Sequence, residues 1–147
     1  MTSRSLLAPL LGAAMLAAIC GCGGEGHPDL VPVTGKVTYQ GQAVQGAQVM
    51  FMAAEASSEK RPAAHAQTDA EGRFRLMTFA PGDGAAAGSY KVLITKREEV
   101  PDPTQPDSPY KMTRDLLPVR YGNPKQSDLK AEVKPGEPND FPFDLKD

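Results

Sequence analysis

Thr68-Asp69-Ala70-Glu71-Gly72-Arg73-Phe74-Arg75-Leu76 reads as a tight turn feeding a β-strand. An Asp side chain can bond backbone two residues on, and Gly accepts positive φ, so Asp69 and Gly72 are turn formers for different reasons. Beyond Gly72 the pattern alternates. Phe74 and Leu76 fall on one face, Arg73 and Arg75 on the other. Period two with one apolar face is the signature of a half-buried strand.

The same alternation recurs on both sides. Upstream, Val31, Val33, Val37 and Tyr39 alternate with Pro32, Lys36 and Thr38, and Gly35 falls on the apolar register. Gln40-Gly41-Gln42 is a turn. Gly46 marks a bulge or kink, after which Ala47, Val49 and Phe51 resume the apolar face. Residues 54–61 form a polar loop, and a weak strand over residues 64–68 enters the turn. Downstream, a strand is expected over residues 73–79 and a Gly- and Ala-rich loop over residues 80–88. Tyr90, Val92 and Ile94 then alternate with Lys91, Leu93 and Thr95. Leu129, Ala131 and Val133 supply another strand, and Phe141, Phe143 and Leu145 the last. Pro142 has no N–H to give to a ladder, which places this strand at a sheet edge or turns that position outward. About seven short strands with turn signals between them predict an all-β fold, a β-sandwich.

Composition agrees. The 147 residues suit one ordinary domain, and 14 Gly with 14 Pro favour turns over long helices. With 16 basic against 18 acidic residues and no run of five like charges, the footprint of a nucleic-acid binder is absent.

Residues 96–124 (KREEVPDPTQPDSPYKMTRDLLPVRYGNP) resist the strand scheme. Residues 101–109 are expected to be extended and exposed, near polyproline II. Ser108-Pro109 is expected to cap a helical turn over residues 110–117, with Pro at its first position. Leu116, Leu117, Val119 and Tyr121 are apolar enough to fold back onto the sandwich. A loop of this length is commonly functional or mobile.

The N-terminus reads as a targeting signal. Arg4 precedes an apolar run over residues 6–19 (LLAPLLGAAMLAAI), which falls short of the roughly 20 residues of a membrane span. Ile19-Cys20-Gly21-Cys22 resembles the bacterial lipobox, in which a signal peptide is cut before a Cys that is then acylated. Cys22 fits, with Ile19 three before it and Gly21 one before it. Cys20 fits less well, since bulky Ile19 would precede it. This makes residues 1–21 a lipoprotein signal peptide, residues 22–30 an acylated (palmitate-bearing) N-terminus and tether, and residues 31–147 the folded domain. Both cysteines of the chain lie here, which leaves no disulfide and no Cys metal site in the domain. His27 belongs to the tether.

Gly35-Lys36-Val37, Gly46-Ala47-Gln48-Val49, the turn Thr68–Phe74 and Gly88-Ser89-Tyr90-Lys91-Val92 together resemble the carboxypeptidase regulatory-like domain. The resemblance covers nearly all of residues 31–147. It implies a transthyretin-like (immunoglobulin-like) Greek-key sandwich of a bacterial lipoprotein, acting as a non-catalytic accessory or adhesive module. No His-x-x-Glu metal motif of the peptidase occurs. The Tyr-Arg-Gly-Ser tail of transthyretin-like purine-pathway hydrolases is missing; the chain ends Phe143-Asp144-Leu145-Lys146-Asp147. Lys36 lies on the polar register, which argues against an isopeptide bond.

Nucleophile–base chemistry needs a base. Outside the tether there is only His65, on the expected exposed face of its strand. Asp69 and Glu71 offer two carboxylates, where a calcium loop takes six or more oxygens. Tyr110 and Tyr121 are the candidates for stacking against a sugar. The expectation is therefore a membrane-anchored envelope protein facing the periplasm or exterior. It has a structural or binding role and neither cofactor nor catalytic or metal-binding residues. Gly23, in place of the Asp that retains lipoproteins at the inner membrane, favours the outer membrane by family analogy. Two alternatives stay open: a carbohydrate- or peptide-binding module using residues 96–124, and a small hydrolase with an unrecognised site. Possible partners are another envelope protein or a glycan.

Overall fold

The computed structural model describes residues 28–54 and 61–147. The turn forms as its residues dictate. The Asp69 carboxylate accepts the N–H of Glu71 at 3.0 Å and of Arg73 at 2.8 Å, and Gly72 adopts φ 75°. Phe74 is buried between exposed Arg73 and Arg75.

In chain order the strands are β1 (Leu30–Val31), β2 (Thr34–Tyr39), β3 (Gln42–Ala43), β4 (Gln48–Ala53), β5 (Ala64–Gln67) and β6 (Arg73–Arg75). They continue as β7 (Ala85–Ala86), β8 (Gly88–Thr95), β9 (Arg97–Pro101), β10 (Lys111–Asp115), β11 (Lys130–Val133) and β12 (Asp140–Leu145). No α-helix occurs among the described residues, only a 3-10 turn over Val119–Gly122. One sheet runs β11-β8-β4-β5, antiparallel throughout. The other is built on β2, which pairs in parallel with β12 on one side and antiparallel with β3 and β6 on the other. Two ribbons, β1–β7 and β9–β10, complete the all-β sandwich. The β2–β3 hairpin turns through Gln40 and Gly41, both at positive φ, the geometry whose twist suits a two-residue hairpin.

The sheets bury their inner faces against each other. Val33, Val37, Phe74, Phe143 and Leu145 from one meet Val49, Phe51, Tyr90, Val92, Ile94 and Val133 from the other. Phe51 is the hub, with ring centroids of Tyr90, Phe141, Phe143 and Phe74 at 5.7, 6.0, 6.2 and 6.4 Å. Gly35 sits between Phe141 and Phe74 in the ladder. A Cβ there would lie 2.4 Å from the Phe74 ring and 2.2 Å from the Phe141 carbonyl oxygen. The missing side chain therefore makes room for the aromatic cluster.

Several expectations change. The sandwich has more strand segments than the seven expected, because several are only two or three residues long. The strand leaving the turn ends at Arg75, not at residue 79. The Leu76 N–H still bonds the Val33 carbonyl (2.9 Å), but Met77 bridges to His65 of the other sheet. The chain thus crosses between sheets at a corner, a device that pattern alone does not show. Leu93, on the polar register of β8, is buried as well; β8 is an interior strand, flanked on both sides. Residues 110–117 form no helical turn. Residues 111–115 are strand β10, hydrogen-bonded to β9, so Pro101 belongs to a ladder too. Pro142 lies on β12, which among the described residues pairs only with β2, the edge position its missing N–H requires.

Candidate functional site

The segment over residues 96–124 is where the surface departs from a plain sandwich. β9 and β10 form a two-stranded ribbon joined by the Pro-rich tip 102–110, and every residue of β10 is exposed. A lone two-stranded ribbon is marginal in water, so side-chain pairs must hold it. Arg97 meets Asp115 at 2.8 Å, Arg114 pairs with Glu98 directly opposite, and Lys111 reaches Glu99 diagonally at 3.7 Å. At the tip, the Asp102 carboxylate accepts the Thr104 hydroxyl (2.6 Å) and N–H (2.8 Å); these bonds hold its pKa below the ordinary carboxylate value. Tyr110 stands 82 % exposed and Met112 51 % exposed.

The ribbon's base is fastened. Leu117 and Tyr121 enter the core. The Tyr121 hydroxyl donates to the Lys146 carbonyl (2.9 Å) and accepts the Lys146 N–H (3.0 Å). The Arg120 guanidinium lies 4.8 Å from the Tyr121 ring centroid and also bonds the Lys146 carbonyl. Tyr121 is therefore a structural pin and not a stacking platform, which corrects its candidacy. Tyr110 keeps the exposure that such contact needs. Between ribbon base and sandwich lies a groove of about 270 Å³, lined among others by Ile94, Arg97, Asp115, Leu117, Val119 and Asn123. Arg97 and Asp115 are paired with each other at its rim, so the charges there neutralise one another.

The remaining candidates separate. His65 is exposed on β5, and its direct cross-strand neighbours are Met50 and Met77, neither an acid nor a nucleophile. The Asp69 carboxylate is occupied by its own turn, and Glu71 is exposed. Lys36 is exposed, as its register predicts. Among the described residues no group of three or more His, Cys, Asp or Glu could hold a metal ion. Cys22 and His27 lie outside the described residues. Asp83, inside the loop expected over residues 80–88, organises that loop. Its carboxylate accepts the N–H groups of Thr78, Phe79 and Ala80 at 2.7, 2.9 and 2.8 Å. Desolvation raises its pKa, but these amide bonds outweigh that and leave it lowered.

No family model matches the chain. No curated protein matches it either. Among solved structures it is similar to a 9R-lipoxygenase from Cyanothece PCC8801, at 12% identity and a TM-score of 0.39, over 81% of this chain and 16% of that one. A likeness that low carries no argument about fold or activity.

Proposed function

We propose that the protein is a lipid-anchored cell-envelope sandwich with a non-catalytic binding role, and that the β9–β10 ribbon is its contact surface. The observation that carries this is the ribbon itself. It projects from a well-packed body, is held by charged pairs, and presents Tyr110 and Met112 to solvent. Tyr and Met are residue types enriched where proteins make contact. The lipobox-like Ile19-Cys20-Gly21-Cys22 supports anchoring through an acylated Cys22, with the tether following it. The resemblance to carboxypeptidase regulatory-like domains, with their Greek-key topology, points the same way. The test is capture of envelope components by the full chain against Tyr110→Ala/Met112→Ala, with a glycan array in parallel. Loss of a captured protein or glycan in the variant is expected. Equal capture by both would remove the ribbon from the reading.

A further inference from the structure

The backbone of the ribbon distinguishes its two edges. The register is constant from Pro101/Lys111 to Arg97/Asp115, and the Leu116 N–H donates to the Lys96 carbonyl at 2.8 Å. Hydrogen-bonded and non-hydrogen-bonded pairs alternate in an antiparallel ladder. Counting from Lys96/Leu116, Glu98/Arg114 and Val100/Met112 are the bonded pairs. The N–H and C=O groups of Lys111, Thr113 and Asp115 therefore point away from β9, along the free edge of β10. Those of Arg97 and Glu99, with the Pro101 carbonyl, point along the free edge of β9.

The two edges differ in what they accept. If two copies of β9 met antiparallel about Glu99, like charges would face each other, and Pro101 would oppose Arg97 with no N–H to give. Charge and proline on an edge are the devices that keep strands from pairing. β10 behaves in the opposite way. Two copies meeting antiparallel about Thr113 bring Thr113 against Thr113, and Lys111 of each against Asp115 of the other. All these positions have outward-facing backbone groups, so each pair exchanges both of its N–H···O bonds. The side chains agree with the backbone, since opposite charges and Thr–Thr pairs are favourable cross-strand partners. Across the joined ribbons the sequence Arg97, Asp115, then Lys111 and Glu99 of the second copy alternates in sign.

We infer that the free edge of β10 is a self-association surface, and that its occupant is β10 of a second copy of this chain, related by a two-fold axis at Thr113. This rests on the ribbon as contact surface and names the partner. It does not depend on the lipid anchor. Such an isologous contact uses one patch twice and closes at the dimer.

Bonded antiparallel pairs hold their Cα atoms about 5.5 Å apart, within the range a disulfide bridges. Thr113→Cys in the full chain carrying Cys20→Ser and Cys22→Ser makes position 113 the sole cysteine. Mild oxidation should give a disulfide-linked species of doubled mass on a non-reducing gel. Glu99→Cys in the same background, equally on the ribbon surface but on the other edge, should stay monomeric. Added to the Thr113→Cys chain, Lys111→Asp alone or Asp115→Lys alone should lose the crosslink. Mixing these two variants restores opposite charges at both contacts and should recover it. Crosslinking of Glu99→Cys as fast as Thr113→Cys, no loss in the single charge variants, or no recovery on mixing would each overturn the inference. Because this background carries no acyl chain, a positive result alongside unchanged envelope capture by the Tyr110/Met112 variant would count against the binding proposal alone.

Discussion

Phe74 and Arg75 are neighbours in the chain and opposite in environment. Phe74 packs against Phe143 at 6.2 Å with nearly parallel rings, while Arg75 is exposed. Truncating a buried Phe costs about 3–5 kcal/mol, and Phe74→Ala should fall there. Arg75→Ala should stay within about 0.5 kcal/mol, as surface changes do. Urea unfolding of the pair measures both. The reverse order would mean the strand is one residue out of register. Thr68 carries a larger role than a turn residue. Its buried hydroxyl donates to the Val44 carbonyl at 2.5 Å and accepts the Ala47 N–H at 2.8 Å. Thr68→Val keeps the shape and leaves both backbone groups unpaired, a loss of about 1–3 kcal/mol by the cost of unmade buried bonds. No change in the same unfolding series would show that water replaces the hydroxyl. Asp83 predicts a pH effect. Its pKa is lowered in the folded state from the ordinary 3.8, so its contribution is complete above that value and is lost as pH falls through the lower folded value. Asp83→Asn should lower stability at neutral pH and flatten the acid limb of stability against pH. An unchanged limb would assign it to other carboxylates. At Gly72, positive φ is not the whole constraint. A Cβ there would lie 2.5 Å from the Val37 carbonyl oxygen, so even Asn, which tolerates the conformation, lacks the space.

At the scale of elements, the ribbon combines a hydrogen-bonded ladder with a tip that has few such bonds. Protease sites follow from backbone that can leave its partners. Limited proteolysis with chymotrypsin should cut first after Tyr110, beside the tip, before Phe74, Tyr90 or Phe143 in the core. Trypsin should be slower at Arg97 and Arg114, which lie within the ladder. First cuts at Arg97 or Arg114 in a time course read by mass spectrometry would mean that β9 and β10 separate readily in solution. The corner after Arg75 is the complementary case. There the chain leaves β2 and reaches β5 within two residues, and Asp83 secures the loop that follows. This links the two sheets through backbone as well as through the core.

For the whole molecule, the sandwich buries its polar groups with partners: among the described residues no buried side-chain nitrogen or oxygen lacks one. Thr68, Ser127 and Asn139 are the buried polar residues, and each is spent on backbone between strands. No described helix is long and apolar enough to cross a membrane. The proposed anchor rests on the lipobox-like Ile19-Cys20-Gly21-Cys22; one chain of myristoyl length binds only reversibly, so two or more are needed. Cys22→Ser should release the protein to the soluble envelope fraction or leave it unprocessed. Mass spectrometry that finds a free Cys22 thiol in the mature native protein would overturn the anchor.

What the sequence determined is periodic. Alternation placed Val33, Val37, Val49, Phe51, Phe74, Val92, Ile94, Val133 and Leu145 in the core, because a strand sends successive side chains to opposite faces and only one face can be dry. Gly72 and Gln40-Gly41 were legible as turns because their conformations are local. The tertiary structure decided whatever depends on distant neighbours. Residues 111–115 carry no apolar alternation, since both faces of β10 are wet, so only their partner β9 makes them a strand. Tyr121 looked available and is pinned by Lys146, a residue 25 positions away. The free edge of β10 was equally hidden. Which backbone groups point outward depends on the parity of the ladder, and that parity is fixed only when two strands meet.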